Sequence, residues 1–195
     1  HHHLHGFEGG NALSAFRTQA LLGQLQAAVP RVRGVQARHV HWVATEQALS
    51  AEQTERLAAL LRYGDAALAE RAGTLARVVV TPRLGTVSPW ASKATDIAHN
   101  CGFPIQRVER VTEYLLSLDK PLLGAAKPLD EAEWLACAAL LHDRMTESVL
   151  KDRDGDKHLF DAKEAAPLER VDVLGEGRSA LERANSAWGL ALSAD

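Results

Sequence analysis

The feature that most constrains the fold of this chain is a repeat. Leu49-Ser50-Ala51-Glu52 running to Ala58-Ala59-Leu60-Leu61 matches Leu129-Asp130-Glu131-Ala132 running to Ala138-Ala139-Leu140-Leu141 at an offset of 80 residues. In each copy a capping residue (Ser50, Asp130) follows a leucine, and acidic residues precede an apolar run, which is how helices begin. Upstream, Leu13-Ser14-Ala15-Phe16 parallels Val87-Ser88-Pro89-Trp90. Pro30, before the strand-like VRGVQARHVHWVA, parallels Pro104, before IQRVERVTEYLLSL, both at an offset of 74. Six extra residues around DKPLLGAAK account for the change in offset.

Two copies of strand, helix, long strand, helix therefore make an α+β domain over residues 4–150, with repeats at about 4–64 and 75–150. The first copy predicts strands at 4–9 and 32–45 and helices at 14–28 and 51–63. The second predicts strands at 76–82 and 105–118 and helices at 89–101 and 131–149. Each unit leaves an apolar sheet face to cover, so the antiparallel sheets of the two copies are expected to pack face to face about a pseudo-twofold axis, as in a dimer fused into one chain. His1 to His3 read as a purification-tag remnant and carry no structural expectation. Residues 151–195 change character: KDRDGDKHLFDAKEAAPLERVD reads as a linker. A last helix at 178–192 places Leu181, Ala184, Trp188, Ala191 and Leu192 on one face, more apolar surface than a solvated tail needs.

Charge and cysteines narrow the function classes. Residues 1–150 carry 15 basic and 15 acidic side chains, so the net charge of −3 comes from the remaining 45, and no basic surplus marks a nucleic-acid partner. No apolar run reaches membrane-spanning length, and no secretion signal follows the histidines. Cys101 and Cys137, in apolar helical contexts without zinc spacing, suit reduced core thiols of a cytoplasmic protein.

The chemistry-bearing side chains concentrate in TPRLGTVSPWASKATDIAHNCG, residues 81–102. Ser88-Pro89 supplies N-cap and N1 signals, and Gly102 a stop. On a helical wheel Trp90, Ala94, Ile97, Ala98 and Cys101 share one side; Ser92, Thr95, Asp96, His99 and Asn100 share the other, with Lys93 at the margin. A capped amphipathic helix explains half of this. The polar face nevertheless lacks the long Glu, Gln and Arg side chains of a solvated surface. Arg83, Ser88, Ser92, Lys93, Thr95, Asp96 and His99 are thus candidates for contact with a partner domain or a phosphate.

Weaker signals have local explanations. His39 and His41 share a strand face but lack a third metal ligand nearby. His142-Asp143 fits helix-end polarity, and Asp152, Asp154 and Asp156 lack the glycine and glutamate positions of a calcium loop. No metal site and no complete catalytic centre is expected.

The 81–102 stretch is similar to a long signature near the N-terminus of the large single-chain phosphoribosylformylglycinamidine synthases. ALSAF at 12–16, LHDRMTESV at 141–149 and VDVLGEGRSALERAN at 171–185 extend the resemblance over nearly the whole chain. Leu84 stands where the family has proline, and Ala91 and Phe103 where it has serine and leucine. The resemblance implies an N-terminal domain, similar to a fused dimer of the small subunit of split enzymes, followed by a linker. The parent would be an ATP-dependent glutamine amidotransferase converting formylglycinamide ribonucleotide to its amidine and channelling ammonia. The synthetase domain, with ATP and magnesium, and the Cys-His-Glu glutaminase domain would lie beyond Asp195. They would be the partners of this chain, which alone would hold no cofactor and show no turnover. Self-association of the isolated chain is left open. Two alternatives remain: a stand-alone ferredoxin-like module binding a small phosphorylated ligand, and a metal-dependent hydrolase using His39, His41, His142 and Asp143.

Overall fold

The computed structural model describes residues 3–63, 66, 74–83 and 89–153. In chain order they form β1 (His3–Asn11), α1 (Ala15–Ala28), β2 (Val32–Thr45), α2 (Ala51–Leu61), β3 (Thr74–Pro82), α3 (Pro89–Asn100), β4 (Ile105–Leu118), α4 (Glu131–Leu141) and β5 (Glu147–Leu150). The expected linker beyond 153 and the helix at 178–192 lie outside the described residues.

Local chemistry sets the helix starts. Ser14 accepts a hydrogen bond from the Arg17 amide. Ser50 with Gln53, and Asp130 with Glu133, close full capping boxes, so the 80-residue repeat extends to the reciprocal hydrogen bonds that satisfy orphan amides.

The five strands form one antiparallel sheet in the order β1-β2-β4-β3-β5. The two copies therefore join edge to edge through β2 and β4, which corrects the expected face-to-face packing. The reason lies in the strands: their second face carries Arg38, Arg107, Glu109 and Glu113 among its apolar residues, so it cannot stack as a dry sandwich. Joining edges instead pairs the backbone groups of two long strands.

The β2–β4 ladder runs from Val32 opposite Leu118 to Thr45 opposite Ile105, with irregularities between Val32 and Gly34 and on the β4 side between Ile105 and Arg107. The extra residues are Arg33 and Gln106, so each copy carries one bulge at the matching place, and the repeat offset is 73 through these strands. On this offset the pseudo-twofold axis passes by His39 and its cross-strand neighbour Thr112.

Strand alternation assigns Val35, Ala37, His39, His41 and Val43 to one face of β2 and Val40, Trp42 and Ala44 to the other. All four helices pack on the first face. At one end α1 and α4 bury Leu25, Trp134, Cys137 and Leu141 against Val35, Val78 and Leu116. At the other, α2 and α3 bury Leu57, Leu61 and Ala98 against Phe7, Val43 and Val108. Arg31 fastens the first end: its guanidinium makes two bonds to Glu133 (2.9 and 3.1 Å) and two to the Lys127 and Pro128 carbonyls.

Two further expectations are corrected. Helix α4 stops at Leu141, not at 149, because Asp143 takes the Met145 amide at 2.8 Å and turns the chain, and ESVL pairs with β3 as a fifth strand. Cys137 is buried, and burial pushes its thiol up, but Cys101 is exposed and is no core thiol. Among the described residues no helix is long and apolar enough to cross a membrane.

Candidate functional site

Helix α3 ends in a fully formed left-handed cap. Gly102 has φ +82°, its amide donates to the His99 carbonyl (2.9 Å), and the Phe103 amide donates to the Ala98 carbonyl (3.2 Å). Only glycine adopts that conformation without a Cβ penalty, and Phe103 closes the motif by packing on Ala98.

The candidate residues of this segment divide into three groups. Thr95 and His99 serve the fold: the Thr95 hydroxyl donates to the Ala91 carbonyl (2.8 Å) and accepts from the Val108 amide (3.2 Å), and the His99 ring bonds to the Ile105 carbonyl. Ser92, Lys93 and Asp96 are exposed, as His99 is despite its bond to the backbone, and form one outward surface. Arg83 belongs elsewhere, its amide donating to the Thr146 carbonyl at 3.0 Å, and Ser88 lies outside the described residues. The buried arc is also rotated from the wheel. Ala91 and Ala98 are buried, whereas Ile97 is 43% exposed and Cys101 is exposed too.

Between α2 and α3 runs an apolar groove of about 280 Å³, lined by Leu57, Leu61, Tyr63, Trp90, Ala94 and Ile97, with Lys93 at its edge. The repeat supplies a counterpart of about 280 Å³ between α1 and α4, lined by Phe16, Ala20, Leu140 and Leu141 among others. Phe16 and Ala20 are the 74-residue equivalents of Trp90 and Ala94, and Leu141 is the 80-residue equivalent of Leu61. The two grooves are pseudo-symmetric and have diverged: Phe16 is 83% exposed, whereas Trp90 is engaged in a cluster.

That cluster lies at the α2–α3 groove, whose lining includes Tyr63 and Trp90. Arg110, opposite His41 in the ladder, sits 4.7 Å over the Trp90 ring and donates to the Tyr63 hydroxyl at 2.9 Å. The Tyr63 hydroxyl is also 3.2 Å from His41 Nε2, and the His41 and Trp90 rings are 5.2 Å apart. His39 stacks on Tyr63 at 6.4 Å. Burial first, and after it Arg110 for His39 and His39 followed by Arg110 for His41, pull both histidines down to about 4, so both rings are neutral near pH 7. Sequence reading found the histidine pair but not its partners, because Tyr63 and Arg110 reach it only through the sheet register and the end of α2.

Gly9 admits this arrangement. A Cβ at residue 9 would lie 2.5 Å from His41 Cε1 and 3.1 Å from His39 Cβ. Gly9→Ala is expected to destabilise the chain by about 1–3 kcal/mol and to shift the His41 ring resonances in NMR spectra. Unchanged stability with unchanged resonances would contradict the packing.

Elsewhere, the His142 ring bonds to the Ala138 carbonyl at the end of α4, and Asp143 serves the following turn. No group of three or more His, Cys, Asp or Glu side chains gathers at metal-binding distance among the described residues. Asp154 and Asp156 lie outside them.

A family model described as formylglycinamide ribonucleotide amidotransferase N-terminal matches residues 38–160. The match starts within β2, runs through the whole second copy, and includes α3, its groove and the His41, Tyr63 and Arg110 cluster. Because it covers 123 of 195 residues, the chain belongs to the formylglycinamide ribonucleotide amidotransferase N-terminal family and is a domain of that enzyme of purine biosynthesis.

Proposed function

We propose that this domain docks on the synthetase domain of its parent amidotransferase, beside the substrate site and the ammonia path, through the α2–α3 groove and the outward surface of α3. The observation that carries the reading is an apolar groove whose lining includes exposed Leu60 and Ile97 and the charged Lys93, on a helix that also exposes Ser92 and Asp96. An apolar centre with a polar rim is the makeup of protein interfaces. Family membership makes the other domains of the same enzyme the natural partner. Catalysis belongs to those domains: ATP and magnesium to the synthetase, and the nucleophilic cysteine to the glutaminase. The role of this domain is to hold them in register so that ammonia released at one centre reaches the other.

The test is made in the full enzyme. Lys93→Ala, Asp96→Ala and Ile97→Asp are expected to lower glutamine-dependent turnover severalfold and to raise the ratio of glutamate released to amidine formed, with Ile97→Asp largest. Unchanged turnover, coupling and stability in all three would sink the docking reading. Ligase or glutaminase turnover by the isolated 195-residue chain would place catalysis here instead.

A further inference from the structure

The sheet face opposite the helices carries Val40, Trp42, Ala44, Val79 and Val111, bordered by Leu4 and Leu150. No described helix packs on it, yet the five central side chains are buried. Some further piece of structure must exclude water from this apolar patch.

The course of the chain indicates which piece. Strand β5 is the sheet edge farthest from β1. Three residues after β5 ends, Arg153 has turned back over this face. Its Nε donates to Glu113 Oε2 at 2.6 Å, and its Nη2 donates to Glu8 Oε1 at 2.9 Å. Glu113 is on β4 and Glu8 on β1, so this one side chain bridges strands on either side of β2. The Arg153 side chain thus spans this face from the β5 side toward β1. Forty-two residues follow Arg153, and they contain the stripe Leu181, Ala184, Trp188, Ala191 and Leu192.

We propose that the segment following Arg153 in the same chain covers this face, with the Leu181 to Leu192 stripe set against Val40, Trp42, Val79 and Val111. The Arg153 bridge is the hinge pin that starts it across the sheet. The domain then presents only its helix side to other domains, and this holds whichever part of that side meets the synthetase.

The experiment uses the whole 195-residue chain. Exposed Cys101 is replaced by serine, and a nitroxide is attached at Ser186→Cys, just off the stripe. The probe broadens methyl resonances of Val40, Val79 and Val111 more than twofold relative to Leu25 and Leu57 on the helix side. The effect persists when labelled chain is diluted tenfold with unlabelled, isotopically silent chain. Broadening that disappears when isotopic chain is mixed with separate spin-labelled chain supports an intramolecular cover; broadening that appears only in that mixture identifies a second copy and overturns the proposal. Equal broadening of both faces, or none, also overturns it. In a second variant, Leu181→Asp with Trp188→Asp raises the fluorescence of an apolar dye severalfold while the Leu25 and Leu57 methyl resonances stay in place. An unchanged dye signal would contradict the cover.

Discussion

Glu113→Gln is expected to lower the unfolding free energy by about 3–5 kcal/mol, because it leaves buried positive charge uncompensated. The Glu113 carboxylate is fully buried. It is held by Arg38 at 2.7 Å, Arg77 at 3.2 Å and Arg153 at 2.6 Å; Arg38 is largely withdrawn from water, while Arg77 and Arg153 are partly exposed. Burial by itself would push the Glu113 carboxyl up, but Arg153 and Arg38 outweigh it and hold it below the ordinary glutamate value. The sign of the pH dependence follows. A depressed folded value contributes stability that is present above the unfolded value of about 4.5 and is lost as pH falls through the folded one. The deficit of the variant in urea unfolding at pH 7 is therefore expected to narrow below pH 4.5. A deficit under about 1 kcal/mol at pH 7, or one independent of pH, would show that the three arginines do not depend on this carboxylate.

Much of the fold was legible because the strongest signals were local and duplicated. Ser50 and Asp130 announce helix starts in their own first turns, and the structure forms both capping boxes. The sequence pattern predicts a longer fourth helix because Leu140-Leu141 continues an apolar run with no glycine or proline to stop it. The stop is the turn at Asp143, and it is made secure by pairing of Ser148, Val149 and Leu150 with β3, a contact distant in sequence. The edge-to-edge joining of the two copies was likewise hidden. A repeat shows that two units exist, whereas their relation depends on which strand edges remain unpaired and on charges such as Glu113 that occupy the second face.

At the candidate site the limit was different. A helical wheel shows that Thr95 and His99 lie off the apolar arc of α3, but it cannot separate solvent from the backbone of a neighbouring strand. The Val108 amide and the Ile105 carbonyl claim these two side chains, leaving Ser92, Lys93 and Asp96 to face outward. The buried arc turned for a related reason. Small Ala91 and Ala98 allow close approach to β4, and that approach swings Ile97 and Cys101 toward the surface. The family signature in this stretch thus contains both residues that build the helix seat and residues free to meet a partner.

Acidification from pH 6.5 to pH 4 is expected to remove several kcal/mol of stability through the pair at the pseudo-twofold axis. His39 and His41 both fall from 6.5 to about 4 in the folded chain, chiefly because burial disfavours the charged ring. For fully buried His41 a shift of this size corresponds to about 3 kcal/mol; half-buried His39 contributes less. The unfolded chain takes up protons that the folded chain refuses, so this stability is complete above pH 6.5 and is lost as pH falls toward 4. The groups facing the rings reinforce the direction. Arg110 disfavours charge on both rings, and His39 disfavours charge on His41. His41→Phe keeps a ring of similar breadth beside Trp90 and leaves Tyr63 bonded to Arg110. The variant is expected to show a shallower decline between pH 6.5 and 4.5, and the Glu113 contribution, present in parent and variant alike, cancels from the comparison. Urea midpoints across that window, with ring-proton shifts recording a transition near pH 4 in the parent, make the test. Parallel stability curves for parent and His41→Phe would mean that the buried ring titrates as it does in water and that the cluster is open to solvent.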